Sequence, residues 1–120
     1  MTKSQWITET NINDFETRVI IASNQQPILL DIWAEWCAPC LTIAPILEQV
    51  IDHFDGQLLL KKLEIDASDG ENMKIAGQYK VKAFPTLILF HHGKPIDRFS
   101  RIESKVWIIR FIEKQNVLLV

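Results

Sequence analysis

Cys37 and Cys40 are the only cysteines in the 120-residue chain, and they stand two residues apart in the stretch DIWAEWCAPC. Three chemistries fit a Cys-x-x-Cys pair: a reversible dithiol, half of a zinc site, or buried packing of two small side chains. Zinc usually takes four ligands. Beyond carboxylates the chain offers only His53, His91 and His92, none in a second paired spacing, which argues against a metal. At the start of a helix, unpaired amides and the helix dipole favour a thiolate on the first cysteine, so Cys37 is the better nucleophile. It can attack a disulfide sulfur. Cys40, one turn further on, can then displace the product and close the Cys37–Cys40 disulfide.

Such a pair needs a rigid element before it and a helix after it. PILLDIWA is an apolar run broken only by Asp31, as expected of a strand covered on both faces. A carboxyl group in that run is costly to bury as an anion, so its pKa should rise and make Asp31 a candidate proton donor or acceptor. A plain Asp31–Lys62 ion pair is the simpler alternative. PCLTIAPILEQVIDHF places Leu41, Ala44, Leu47, Ile51 and Phe54 at helical spacing, with Pro39 in the first turn and Pro45 as a kink.

The remaining segments complete an alternating pattern. NINDFETRVIIA predicts a first helix capped by Asn11 or Asn13, with Ile12, Phe15, Val19 and Ile20 on one face. QLLLKKLEID predicts a strand, and Ile75, Ala76 and Tyr79 a short helix. TLILF, HHGKP and IDRFS predict a hairpin turning at Gly93, and SKVWIIRFIEKQ a closing helix capped by Ser104. Parallel pairing in the middle plus a terminal hairpin gives an α/β fold, a mixed sheet with helices on both faces.

Length and composition restrict the function classes. A chain of 120 residues that is 48% hydrophobic fits one globular domain over 1–120 with a core of its own. A net charge of −2 disfavours a mainly electrostatic nucleic-acid or anionic-membrane partner. MTKSQWITETNIND lacks the apolar core of a secretory signal, and no run approaches the roughly 20 apolar residues of a membrane span, so a cytoplasmic location is expected. In a reducing compartment a cysteine pair is read as catalytic before it is read as a structural disulfide.

Taken together, DIWAEWCAPC, Pro45, KLEID at Lys62 to Asp66, AFPT around Pro85 and LILFHHGK resemble the thioredoxin family in order and spacing, over nearly the whole chain. The resemblance implies a thioredoxin fold that reduces protein disulfides, with Cys37 as exposed nucleophile and Cys40 as the more buried resolving thiol. It implies that Asp31 handles a proton of Cys40 and that Lys62 influences its charge. Pro85 would be a cis-proline holding an extended substrate strand. Trp36, Ala38, Pro39, Phe84 and Pro85 would border the docking site, with Trp36 at the surface and Trp33 packed beneath. No bound cofactor is implied; electrons would come from NADPH through a thioredoxin-reductase-type flavoprotein.

The chain departs from the family pattern at three positions. Ala38 replaces the glycine of Cys-Gly-Pro-Cys, Leu41 stands where lysine is common, and Arg101 aligns with a groove glycine, recharging the approach to the disulfide. The segment around ASDGEN is slightly longer. A monomer is expected, with Leu118 to Val120 as an apolar tail that packs on the core or meets a partner. Two other readings use the same residues: a specialised disulfide oxidase or isomerase, and a protein-interaction module whose thiols are incidental.

Overall fold

The computed structural model describes residues 5–118. Five strands form one sheet in the order β1-β3-β2-β4-β5: β1 (Ile7–Glu9), β2 (Ile28–Trp33), β3 (Leu59–Glu64), β4 (Thr86–His91) and β5 (Lys94–Phe99). The β1–β3 and β3–β2 pairs are parallel; the β2–β4 and β4–β5 pairs are antiparallel. Three α-helices, α1 (Ala38–Phe54), α2 (Met73–Gln78) and α3 (Lys105–Glu113), complete the mixed α/β fold expected from the sequence.

Side chains alternate across a strand, and both faces of this sheet are covered. Leu29, Leu60, Leu87 and Leu89 pack with Ile43, Leu47 and Ile51 of α1 and Ile108, Phe111 and Ile112 of α3. Ile28, Leu30, Ile32, Leu63, Ile88 and Phe90 pack with Phe15, Val19, Ile75 and Ala76 on the other side. That is why β2, apart from Asp31, and β4 read as continuous apolar runs rather than alternating ones. On α1 the buried stripe is Cys40, Ile43, Leu47, Val50, Ile51 and Phe54. Leu41, expected on that stripe, is exposed instead.

Two elements differ from expectation. β1 has only three residues, too few to show an alternation, and exists because its backbone pairs with β3: the Leu60 amide donates to the Trp6 carbonyl at 2.8 Å and the Thr10 amide to the Lys62 carbonyl at 3.0 Å. The first helix is not α-helical. Neither Asn11 nor Asn13 caps it: Phe15 is the N-cap, without a side-chain bond, and Asn11 Oδ1 instead accepts from the Asn13 amide at 2.8 Å in the turn before it; Glu16–Ile21 winds as a π-helix and Ala22–Asn24 as a 3₁₀ turn. Its buried residues, Phe15, Val19 and Ser23, recur every four positions.

Both ends of that segment are tied down. The Ile12 amide donates to Asn72 Oδ1 at 2.8 Å. Ser23 Oγ accepts from the Gly93 amide at 2.7 Å, and the Ser23 carbonyl from the His92 amide at 3.0 Å, which fastens the β4–β5 turn. His92 and Gly93 both have positive φ, 52° and 78°, the conformation of a tight two-residue hairpin and one that glycine adopts without strain.

α1 stops where Asp55 turns left-handed, and Gly56 at φ 91° comes next, with a Cβ there only 3.3 Å from the Trp6 indole nitrogen. Ser104 caps α3 as expected, accepting from the Trp107 amide at 3.1 Å. The longer ASDGEN segment forms an exposed 3₁₀ turn at Ser68–Gly70. Of the apolar tail, Leu118 is half-buried against the core, whereas Leu119 and Val120 lie outside the described residues.

Ser23 supplies a direct test of this arrangement. Ser23→Ala leaves the Gly93 N–H without its partner and should cost about 1–3 kcal/mol. Urea unfolding should show a lower midpoint with an unchanged slope. An unchanged midpoint would mean that the serine does not hold the hairpin.

Candidate active site

The carboxyl end of β2 delivers the chain into α1 through three residues, Ala34 to Trp36. Cys37 takes an extended conformation, φ −95° and ψ 104°, and is the N-cap of α1, with Pro39 in the first turn. Its Sγ accepts from the Cys40 amide at 3.2 Å. The first turn of a helix has amides with no helical partner, and here one of them is aimed at the sulfur. Such a donor and the helix dipole favour negative charge on Cys37 when the pair is reduced. The two cysteines form a disulfide with Cα atoms 5.3 Å apart. Both are buried in this form, Cys37 at 6% exposure and Cys40 at 3%, so the exposed Cys37 implied by the resemblance is only slightly the more accessible.

Asp31 occupies the centre of β2 on the face covered by α1 and is 1% exposed. Its Oδ1 has no hydrogen-bond partner among the described residues. Burial pushes its carboxyl up, the charge of Lys62 offsets part of that rise, and the net value is about 7. Lys62 is the direct cross-strand neighbour of Asp31 in the parallel register. Its Nζ does not cap the carboxyl but lies over the ring of half-buried Trp33, 4.7 Å from the centroid. Asp31 and Lys62 line a cavity of about 410 Å³ with Ala44, Leu47 and Glu48 of α1. Cys40 lies one turn before Ala44 on that helix, so a single short segment carries the second cysteine and a wall of the cavity that Asp31 lines.

The other expected site residues gather at the carboxyl end of β2 and the start of β4. Trp36 is 66% exposed, its Nε1 donates to Asp66 Oδ2 at 2.9 Å, and its ring meets Phe84 edge-on at 5.9 Å. The Phe84–Pro85 bond is cis. Thr86 Oγ1 donates to the Ala83 carbonyl at 2.6 Å and lies 2.9 Å from Ser100 Oγ, which closes the loop against the end of β5. Ala38 is exposed beside Cys37, Pro39 is next in the chain, and Leu41 adds an exposed apolar side chain. Arg101 extends away from the disulfide: it pairs with Glu103, and its guanidinium carbon is 5.3 Å from the Trp107 ring centroid.

Two contributors had no role in the sequence reading. Asp66 anchors Trp36, and Glu48 puts a second carboxylate on the cavity wall. Asp66 was findable: β2 and β3 are parallel, so the segments leaving their carboxyl ends emerge at one edge of the sheet, where α/β folds bind ligands. Glu48 was not, because its position depends on how α1 lies across β1 and β3. Among the described residues no three His, Cys, Asp or Glu side chains are arranged to hold a metal.

Comparison with known proteins agrees with this geometry. The thioredoxin family model matches residues 6–114. The chain belongs to the thioredoxin family. It is 40% identical over 103 residues to a thioredoxin of Acidithiobacillus ferridurans, covering 86% of this chain and 90% of that one. It is 32% identical over 106 residues to a thioredoxin of Chlorobaculum thiosulfatiphilum, covering 88% and 93%. A bifunctional thioredoxin reductase/thioredoxin of Mycobacterium leprae is 36% identical over 90 residues, 75% of this chain and 19% of that protein. With the family's paired cysteines in place, the chain is a thiol–disulfide oxidoreductase that acts on protein disulfides through its own redox-active pair. Among the described residues no helix is long and apolar enough to cross a membrane.

The unpartnered carboxyl predicts a pH-dependent stability of defined sign. Below the ordinary value of 3.8 both folded and unfolded Asp31 are protonated. Between 3.8 and about 7 the folded form holds a proton that the unfolded chain has released, so stability falls as pH rises through that window. Asp31→Asn should abolish that slope. In urea titrations of the oxidised protein it should match the parent near pH 4 and exceed it at pH 8 by on the order of 4 kcal/mol. Parallel curves for the two proteins would contradict a raised carboxyl.

Proposed function

We propose that this chain is a reductant of protein disulfides in which Cys37 attacks and Cys40 resolves. The Cys37 thiolate attacks one sulfur of the target, forming a mixed disulfide and releasing the first target thiolate. Cys40 passes its proton to the Asp31 carboxylate and attacks Cys37 Sγ, which closes the Cys37–Cys40 disulfide and releases the second thiolate. Two electrons pass to the target, and its two thiolates take up protons. The observation that carries this order is the 3.2 Å bond from the Cys40 amide to Cys37 Sγ, which favours an anion on Cys37 and not on its partner.

The same neighbourhood supplies the supporting roles. Asp31, with its carboxyl near 7, exchanges a proton at neutral pH, and Lys62 lowers the cost of its charged form. Trp36, Ala38, Pro39, Phe84 and Pro85 form the contact surface for an extended segment of the target, with Arg101 at its far side. Electrons come from NADPH through a thioredoxin-reductase-type flavoprotein, a reading supported by the Mycobacterium leprae relative whose name joins the two activities. We place the protein in the cytoplasm, acting as a monomer with one thioredoxin-like domain over residues 1–120.

The decisive assay couples the protein to NADPH and a thioredoxin reductase and follows insulin disulfide reduction. The parent should turn over, Cys37→Ser should fall to background, and Cys40→Ser should accumulate mixed disulfides with its targets. Turnover that survives Cys37→Ser would reject the assignment. Redox titration separates a reductant from an isomerase, since a potential near that of disulfide isomerases contradicts the proposal. Ala38→Gly should move the potential by no more than about 20 mV, because a Gly/Ala exchange at a compatible site is worth less than about 1 kcal/mol.

A further inference from the structure

Arg101 and the helix beyond it take no part in the dithiol chemistry. On α3 the side facing the sheet is occupied by Ile108, Phe111 and Ile112. The outer side of such a helix is ordinarily polar, yet here Val106 is exposed and Trp107 half-exposed. Trp107 stacks on Phe111, with planes 12° apart and centroids at 5.6 Å, and Phe99 meets both rings edge-on. These aromatics floor a groove of about 370 Å³ whose walls are Ser104, Val106, Arg110 and Lys114.

The groove is basic in a chain whose net charge is −2. Arg110 and Lys114 are exposed on its rim, and no carboxylate lines it. Lys114 Nζ stands 5.5 Å from the Phe111 centroid and the Arg101 guanidinium carbon 5.3 Å from the Trp107 centroid, so cations flank both rings. The nearby Glu103 is engaged by Arg101. An occupant complementary to this surface carries carboxylates beside apolar or aromatic side chains.

The groove follows closely in the chain on the end of β5, which is tied to the loop before β4. Leu87 pairs with Phe99, and the Thr86 and Ser100 hydroxyls meet at 2.9 Å one step further on. Thr86 directly follows Pro85, and Ser100 directly precedes Arg101, whose guanidinium reaches Trp107. We infer that the α3 groove receives an acidic, apolar segment flanking the target disulfide of a protein substrate. This rests on the reductase reading above and names its substrate class.

The test uses peptides of about twelve residues joined through one disulfide and differing only in a flanking cluster of Glu, Gln or Lys beside a leucine. At low salt the Glu peptide should show a KM roughly fivefold or more below that of the Gln peptide, the sum of several exposed charge pairs of modest individual strength. The advantage should vanish near 0.5 M NaCl, where the screening length is only a few ångströms. Arg110→Glu combined with Lys114→Glu should invert the preference toward the Lys peptide and leave reduction of the small uncharged disulfide of 2-mercaptoethanol unchanged. Equal KM values for the Glu and Gln peptides, or a preference untouched by the charge reversal, would overturn the inference.

A binding measurement separates this inference from the reading beneath it. A cysteine-free Glu peptide should shift backbone resonances of α3 in the oxidised protein, whatever the turnover. Loss of turnover with every disulfide, the small uncharged one included, would sink the reductase reading; absence of α3 shifts would sink the groove. A single-stranded oligonucleotide that binds the groove more tightly than the Glu peptide would overturn it. So would self-association that the double variant abolishes.

Discussion

Burial of β2 on both faces is the constraint on which the site depends. With α1 and α3 on one side and the π-helical segment and α2 on the other, the middle of the strand is buried, and every side chain there must be apolar or bear the cost of desolvation. Asp31 bears that cost. Its carboxyl is driven toward neutrality because no hydrogen bond compensates Oδ1 and because Lys62, its cross-strand neighbour, lies over Trp33. Only three residues separate the end of the same rigid strand from Cys37, so the element that perturbs the carboxyl also fixes the place of the disulfide.

The chemistry is divided between elements by their geometry. The N-terminus of α1 supplies a positive end and an unshared amide, which suit a sulfur anion. The cavity between α1 and β3 supplies a group able to exchange a proton near neutrality. Trp36, braced by Asp66 and set against Phe84, and the Pro85 loop, held by Thr86 and Ser100, shape the surface around the cysteines. None of these supports is in the cysteine motif itself. They come from the ends of β3, β4 and β5, which meet at one edge because of the strand order.

The departures from the family pattern fall on the surface. Leu41 and Ala38 are exposed where a partner would approach, and Arg101 is directed along α3 rather than across the disulfide. The core and the strand that carries Asp31 are buried, while the exposed surroundings of the disulfide include apolar Leu41 and basic Arg101. Variation in such positions alters which targets fit without disturbing the exchange reaction, whose requirements lie inside the fold.

Local sequence alone determined the elements with strong periodicity or clear punctuation: the apolar runs of β2 and β4, the Gly93 turn, the Ser104 cap, and a cysteine pair opening a helix. It also showed that Asp31 was out of place, since a carboxylate in an apolar run has few benign explanations. Tertiary structure decided what depends on partners distant in the chain. β1 is a strand only through its pairing with β3; the first helix widens because Asn72 and the hairpin hold its two ends; the exposure of Leu41 reflects how α1 rotates onto the sheet. Whether Lys62 would neutralise Asp31, and where Arg101 would extend, could not be read from spacing. Both are long side chains whose direction is set by an aromatic ring brought alongside by the fold, Trp33 in one case and Trp107 in the other.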